Sequence, residues 1–419
     1  MILRLEIGNY KLARRLTLDL EEFQVLVGPN GSGKSTVIDA LVFLADLLRL
    51  GVQKTVRKRA RTLRELTWNM RGGPIQFALE VKLPKAVQYK ENSYTVCRYE
   101  IAVDSSAAAN GLEVVAENLY LKNQPSKPLV RQLPLFPADW YPKQAIIHDR
   151  SLRGWKTVFK KSAASRYTYH AETTRWNFPF DILGDATGLQ FVPANRERFY
   201  GGMFLRDLLL RGIQFLHLEV DRMRPPCPPD VDVHLVPDGS NLAAAVLNLQ
   251  RSDPEGFEAW SEHVLLVLPE FSSVRVRERE EDAHLVLELV KSNDVAIPTW
   301  LLSDGTLRLL ALTLLAYLPG ENQIYLIEEP ENGIHPSAID VVHQSLSSTY
   351  GKQIVVATHS ALFVGLTKPD QLLCFGKTEE GAIDVVRGSS HPRLSKGKGE
   401  VDLETLYASA VLDSKAIVI

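Results

Sequence analysis

The chain has 419 residues, 45% apolar and 23% charged, ordinary globular values at a length beyond what one simple hydrophobic core organises, so two or more lobes are expected. Forty-eight Lys plus Arg against fifty Asp plus Glu leave a formal charge of −2, so any attraction for nucleic acid must come from local patches. Three widely spaced cysteines, Cys97, Cys227 and Cys374, fit neither a disulfide framework nor a C-x-x-C zinc pattern, which suits a reducing cytoplasm and implies no structural metal.

The N-terminus carries Arg4 and Glu6 where a signal peptide needs an unbroken apolar stretch, so it is expected to form a strand. Alternation over Ile2 to Ile7 and Leu16 to Leu20, then the apolar run Phe23 to Val27, predicts three strands before Gly28-Pro29-Asn30-Gly31. From Ser35 to Leu50 the apolar positions exceed one stripe, predicting a helix packed between layers. After the basic segment Lys54 to Arg64, the stretches Ile75 to Leu83, Tyr94 to Val103 and Leu112 to Leu121 alternate like antiparallel strands with one wet face. Periodicity is poor from about Pro125 to Arg211, which is taken as an insertion. Downstream the pattern predicts strands at Ile213 to Val220 and Val231 to Val236, flanking a Pro-rich linker. Helices to about Leu249 and near Phe257 to Leu268 follow, and then a hairpin from Val274 to Val290. From Ser303 onward helix and strand alternate, the sign of a parallel sheet covered by helices. The greasiest segment, Leu307 to Leu318, contains Arg308 and falls short of the ~20 apolar residues of a membrane span, so a soluble protein without membrane contact is expected.

Four segments carry chemistry. Gly28 to Ser35 fits G-x-x-x-x-G-K-[ST] between a predicted strand and a predicted helix. Its glycines turn backbone N–H groups onto a β-phosphate, the helix start adds positive potential, Lys34 reaches the β and γ oxygens, and Ser35 can ligate Mg²⁺. Asn30, Gly31, Ser32, Gly33, Lys34, Ser35 and Thr36 are the candidate nucleotide contacts. Ile324 to Glu329 is a buried-strand run ending in two carboxylates. Glu328 is the candidate Mg²⁺ holder, and Glu329 is the candidate base for an attacking water. Ser303 stands at the natural N-cap of the helix from Leu307. Its sharper reading is that Ser303 and the Gly305 backbone grip the γ-phosphate of a nucleotide held by a second copy. His359, after the strand Gln353 to Ala357, lies where ligands gather in open α/β sheets, and is the candidate γ-phosphate contact.

In order and kind these pieces resemble the Walker A, signature, Walker B and switch histidine of ATP-binding cassette ATPase heads. The strings LLSDGTLRLLAL, YLIEEPENGIHP and VVATHS look like the branch containing RecF and SMC heads, and more closely the OLD-type, AAA-21 ATPases. The resemblance covers roughly residues 1 to 50 and 212 to 375. It departs from the pattern where Glu328 replaces the usual Walker B Asp, and where Gly333-Ile334-His335-Pro336 replaces the usual D-loop. It implies an α/β P-loop NTPase with a mixed, antiparallel lobe I (1–125, with Walker A), an insertion (126–211) and a parallel-sheet lobe II (212–419). It also implies ATP and Mg²⁺ as cofactors and a homodimer closing on ATP. OLD-type nucleases carry a TOPRIM domain after the ATPase, and no paired D-x-D follows His359. The expectation is therefore an ATP-gated switch working on a separate effector in phage defence, without nuclease activity of its own. The other reading is a RecF-like factor that clamps duplex DNA. For that reading Lys54 to Arg64, and Arg150 to Arg166 with Trp155, Phe159, Tyr167 and Tyr169 interleaved, could follow a phosphate backbone with stacking support, although charge runs are more often solvated faces.

Overall fold

The structure is a computed structural model, and it describes residues 1–85, 94–106, 111–126, 145–162, 165–182 and 185–391. In chain order the strands and helices are β1 (Ile2–Tyr10), β2 (Ala13–Asp19), β3 (Phe23–Val27), α1 (Lys34–Leu50), α2 (Val52–Arg57), α3 (Leu63–Leu66), β4 (Ile75–Lys82), β5 (Val96–Ser106), β6 (Gly111–Lys122), β7 (Lys156–Lys161), β8 (Arg166–His170) and β9 (Asn177–Asp181). The second half continues with α4 (Tyr200–Asp207), β10 (Ile213–Leu216), α5 (Val220–Met223), α6 (Leu242–Ser252), α7 (Pro254–Leu265), β11 (Phe271–Glu278), β12 (Leu285–Lys291), β13 (Ala296–Pro298), α8 (Asp304–Leu314), β14 (Ile324–Glu328), α9 (Pro336–Ser347), β15 (Gln353–Thr358), α10 (Ala361–Gly365), β16 (Leu372–Lys377) and β17 (Ile383–Arg387). The class is α/β, as expected, with an eight-stranded antiparallel sheet, a largely parallel six-stranded sheet and a three-stranded antiparallel sheet of β11, β12 and β13. Two compact units are formed, one from Met1–Glu21, Asn30–Ile213 and Phe375–Val385, the other from Glu22–Pro29, Gln214–Cys374 and Val386–Ile419. This division differs from the three segments expected at 1–125, 126–211 and 212–419.

In the first unit eight strands form one sheet, ordered β2-β1-β4-β5-β6-β7-β8-β9. Alternation puts Leu5, Ile7, Phe77, Leu79, Tyr99, Ile101, Leu119 and Leu121, all buried, on one face. The other face is charged, but it is not the wet face the alternation suggested. Glu6, Glu80, Arg98, Glu100 and Lys122 are buried too. The Arg98 guanidinium donates to Glu6 at 2.6 Å, Glu80 at 3.1 Å and Glu100 at 2.7 Å, and Lys122 pairs with Glu80. The segment after residue 145 covers them: the His148 amide donates to Glu100 at 2.8 Å, and the Trp155 ring lies 4.8 Å from the Lys122 ammonium and 5.8 Å from the Arg98 guanidinium. Buried charges survive only when paired and hydrogen-bonded, and here each answers another. The lysine and Ser126 hold the Glu80 carboxyl down to about 2 despite its burial.

The described part of 126–211 adds β7, β8 and β9 to that same sheet. Glu117 on β6, fully buried, accepts hydrogen bonds from the Tyr99 and Tyr167 hydroxyls, both at 2.8 Å, and from the amides of Gly188 at 2.7 Å and Leu189 at 3.0 Å. A single carboxylate therefore joins β5, β6, β8 and the turn at Gly188. Sequence periodicity misses this region because its strands are short and irregular: β9 reads NFPFD, with a proline inside an edge strand.

In the second unit the sheet is ordered β10-β14-β15-β3-β16-β17, and β14, β15, β3 and β16 run parallel. Strands buried on both faces become continuous apolar runs, as in β3 and β15. The core joins these strands to α6, α7, α8 and α9 through residues such as Trp260, Leu310, Tyr325 and Val356. The Trp260 indole N–H donates to Thr313 Oγ1 at 3.0 Å. The strand expected at Val231 to Val236 is absent. Asn241, the residue before α6, uses its side chain to bind Asp232 and His234 carbonyls at 2.6 and 2.7 Å and the Val236 amide at 2.9 Å. Those backbone groups thus gain partners without a ladder.

His343 on α9 is buried between the rings of Phe23 and Phe363, with centroids at 5.4 and 5.0 Å, and its Nε2 meets Thr367 Oγ1 at 3.0 Å. Burial pushes its imidazole down to about 4. Between that value and the ordinary ~6.5, the unfolded chain binds the extra proton, so stability falls as pH drops through this window, by up to about 3 kcal/mol. Denaturant titrations of the parental chain and of His343→Gln, which retains a partner for Thr367, should show the parental chain losing stability relative to the variant as pH falls from 7.5 to 4.5.

Candidate functional site

The carboxyl ends of three adjacent parallel strands of the second unit define one edge. In register, Val27 on β3 faces Thr358 on β15, and Ala357 on β15 faces Glu328 on β14. The next residues, Gly28, His359 and Glu329, therefore leave the sheet on the same side, where ligands of open α/β sheets bind. Glu328 is the exposed last residue of β14. Glu329 adopts a left-handed backbone, φ 48°, which costs a non-glycine residue energy. It is held there by its amide donating to the Ala357 carbonyl at 2.7 Å and by the Asn332 amide donating to its carboxylate. His359 Nε2 lies 4.0 Å from Glu329 Oε1, so the structure brings the candidate base and the candidate switch histidine together.

Glu331 was not singled out from sequence, yet it organises this edge. Its Oε1 accepts from the Thr358 hydroxyl at 2.6 Å, the His359 amide at 3.3 Å and the Ser360 amide at 3.1 Å. Its Oε2 is buried and lacks a partner among the described residues. Only the spacing E-E-x-E after a buried strand could have pointed to it.

Ser303 caps α8 as expected: its Oγ accepts from the Thr306 amide at 3.2 Å and meets Thr306 Oγ1 at 2.8 Å. Arg224 pins this helix start, donating to the Leu302 carbonyl at 2.8 Å and pairing with Asp304; nothing in its local sequence marked it. Gly305 is required by packing. A Cβ there would sit 2.4 Å from the Gly333 carbonyl oxygen, so α8 starts against the loop that follows Glu329.

Asn30 to Thr36 belong to the first unit. Gly31 and Gly33 take positive φ, 71° and 107°, which turns the loop into the start of α1. Gly33 occupies the N-cap position, and no side chain caps the helix. Ser32 Oγ is buried without a partner among the described residues, Lys34 is buried, and Ser35 is exposed. An orphaned hydroxyl, an uncapped 17-residue helix and a lysine in one loop fit an anion with several oxygen atoms, which is what a polyphosphate supplies. A Cβ on Gly33 would strike Ile383 at 2.4 Å, and the Lys377 ammonium lies 3.6 Å from where a Gly31 Cβ would be. Lys377, at the end of β16, is thus a second ammonium beside the loop, missed because it lies far along the chain. No cluster of three or more His, Cys, Asp or Glu that could hold a metal occurs among the described residues. In the first unit Ser35 offers a hydroxyl, and in the second Glu328 offers a carboxylate, each an oxygen group of the kind Mg²⁺ accepts.

The basic stretches fare differently. Lys54, Arg57, Lys58, Arg61 and Arg64 are exposed, but the Arg59 side chain is buried, bridging Asp39 at 2.7 Å and Asp46 at 2.8 Å. In the second stretch Phe159, Tyr167 and Tyr169 are buried, and Trp155 lies on Arg98 and Lys122. The rings of Phe159, Tyr167 and Tyr169 are taken up in packing against the sheet, and the half-buried Trp155 is already stacked over two cations, so the four do not form an open stacking platform.

Residues 178–365 match the AAA_21 family model, "AAA domain, putative AbiEii toxin, Type IV TA system", and residues 1–97 match AAA_15, an AAA ATPase domain. Over 42 residues the chain is 45% identical to the chromosome partition protein Smc of Methanocaldococcus jannaschii, a stretch that is 10% of this chain and only 4% of that relative. Among solved structures, an SmcHead bound to the C-winged helix domain of ScpA is 14% identical with a TM-score of 0.49, covering 92% of this chain and 97% of that one. The SMC head domain from Thermotoga maritima is 13% identical with a TM-score of 0.44, covering 92% and 98%. The chain is thus similar to AAA-type ATPase domains in two stretches. No described helix is long and apolar enough to cross a membrane.

Glu331→Ala should leave the Thr358 hydroxyl and the His359 amide without their acceptor, and the Ser360 amide with only Thr358 Oγ1 at 2.9 Å, a loss of about 1–3 kcal/mol. Hydrogen exchange at the His359 and Ser360 amides should speed up correspondingly while the amides of β11 and β12 keep their protection.

Proposed function

We propose that this chain is an ATPase of the ATP-binding cassette type, in the OLD-type branch, that binds ATP with Mg²⁺ at a homodimer interface and uses closure to control a separate effector in phage defence. The observation that carries it is the pairing of Glu329 with His359 beside Glu328 at one strand edge, in a chain that also has the Gly28 to Ser35 phosphate loop. Lys34, Ser32 and the backbone from Asn30 to Thr36 bind the phosphates. Ser35 and Glu328 hold Mg²⁺, which when bound screens phosphate charge. Glu329 takes a proton from the attacking water, and His359 contacts the γ-phosphate and keeps Glu329 oriented. Ser303 and Gly305 present the start of α8 to the nucleotide of the partner chain. The match to a model described by a toxin of a type IV toxin–antitoxin system supports a defence setting, and the three free cysteines suit a reducing cytoplasm.

A second reading is a DNA-associated ATPase of the RecF or SMC kind. It is favoured by the 42-residue similarity to a chromosome partition protein and by the exposed cations of Lys54 to Arg64. The readings separate on one measurement: ATP turnover that rises with duplex DNA supports the second, and turnover indifferent to DNA but tied to a co-purifying effector supports the first.

Lys34→Ala should abolish ATP binding in a filter or calorimetric assay. Glu329→Gln should retain binding, lose about 10²–10⁴-fold in turnover, and run as a dimer with ATP by light scattering. Parental turnover in Glu329→Gln would remove Glu329 from its role.

A further inference from the structure

The first unit holds a cavity of about 410 Å³ that shares no residue with the phosphate loop. Its walls bring together Arg57 at the end of α2, Arg61 and Arg64 around α3, the backbone of Gly72 and Gly73, and the facing ends of β5 and β6 at Asp104, Ser105 and Leu112. Three guanidiniums face one carboxylate, and that carboxylate, Asp104, already accepts the Ser105 amide at 2.7 Å. Among the described residues the guanidiniums of Arg57 and Arg61 have no hydrogen-bonding or ionic partner, whereas Arg59, two residues away, is committed to Asp39 and Asp46. Arg64 is held in place by donating through Nε to the Met70 carbonyl at 2.7 Å, which leaves its terminal nitrogens for another acceptor. Gly72 and Gly73 have positive φ, 81° and 83°, and a Cβ on Gly72 would meet nothing within 4 Å, so the backbone leaves space open there. Val56, Leu63 and Leu112 give the same cavity an apolar wall.

Concave shape favours one ligand class. A duplex backbone is followed by cations spread over an open face, whereas these line a half-open hollow of about 410 Å³, at the small end of the ~300–1,000 Å³ typical of small-molecule sites. Guanidinium forks match phosphate oxygens two at a time, and the apolar wall suits the organic body that carries the phosphate. We propose that this cavity binds a small phosphorylated ligand of nucleotide size, its phosphate taken by Arg57 and Arg61, at a site separate from the phosphate loop.

Calorimetric titration of the Lys34→Ala chain with AMP, and with adenosine as the control lacking phosphate, tests this with the phosphate loop disabled. AMP should bind at one site, adenosine at least about tenfold more weakly, and Arg57→Gln/Arg61→Gln on the same background should weaken AMP at least about tenfold. Equal binding of AMP and adenosine, no AMP binding, or AMP binding that ignores the double substitution overturns the proposal. So does displacement of AMP by a short DNA duplex whose own binding is lost with the same arginines, because these would then form a nucleic-acid face. Should Lys34→Ala fail to fold, ribose 5-phosphate titrated into the parental chain and into Arg57→Gln/Arg61→Gln gives the same comparison, and a difference under tenfold again overturns it. The site stands or falls apart from ATP hydrolysis, which Glu329→Gln reports.

Discussion

Everything at the strand edge depends on the parallel register of β14, β15 and β3. Because these strands are buried along their length on both faces, a slip of one residue would exchange the two packed faces and draw the polar strand-end residue Glu328 toward the core. The register is therefore fixed by the core, and the polar residues at the strand ends inherit their positions from it. Glu329 follows directly: its left-handed backbone is tolerated because its own amide is tied to β15 through Ala357. Strain at that residue is sustained by a ladder it does not itself belong to. The carboxylate is thereby aimed by the sheet, and its 4.0 Å approach to His359 is a consequence of strand pairing more than of any attraction between the two side chains.

Glu331 adds the second constraint. A loop that must leave a sheet and start a helix exposes backbone N–H groups, and α10 begins immediately after His359 with Ser360 as its cap. By accepting two of these amides and the Thr358 hydroxyl, Glu331 fixes the loop that carries His359 without touching the imidazole. Gly305 extends the same arrangement toward α8, where contact with the Gly333 carbonyl leaves no room for a side chain. The loop after Glu329 is thus bounded by Glu331 at the His359 loop and by Gly305 at the start of α8.

Much of this was legible in the sequence, for definite reasons. The glycine-rich turn between β3 and α1, those two elements and the carboxylate-ended strand β14 are local patterns in which side-chain period and glycine placement agree, and the structure builds these elements where they were expected. The even positions of β5 and β6 misled because alternation reports which residues share a face and is silent on whether that face is covered: Arg98 and Glu100 look wet until residues from 145 onward close over them. The stretch Arg150 to Arg166 misled similarly, since an aromatic between cations can stack on a base or fill a sheet, and Phe159 and Tyr167 do the second. Glu331, Arg224 and Lys377 act through partners distant in the chain or on backbone atoms, and neither relation leaves a period or motif.

One device recurs in both units. Where backbone amides cluster without a ladder, the chain answers with a single carboxylate: Glu331 in the second unit, and in the first Glu117 at Gly188 and Leu189, and Glu172 at Gly201 and Gly202, the latter at 2.8 and 2.9 Å. Two backbone donors per carboxylate are a shared cost and a shared gain, since burial disfavours the charge while the amides favour it. At Glu172 burial dominates, and the carboxyl is pushed up to about 7. A raised carboxyl contributes stability that is fully present below its ordinary ~4.5 and is lost as pH climbs through 7, the opposite trend to His343. The first unit therefore gains from acid at Glu172 what the second loses at His343, and the two compact units answer the same change of pH with opposite sign at these residues.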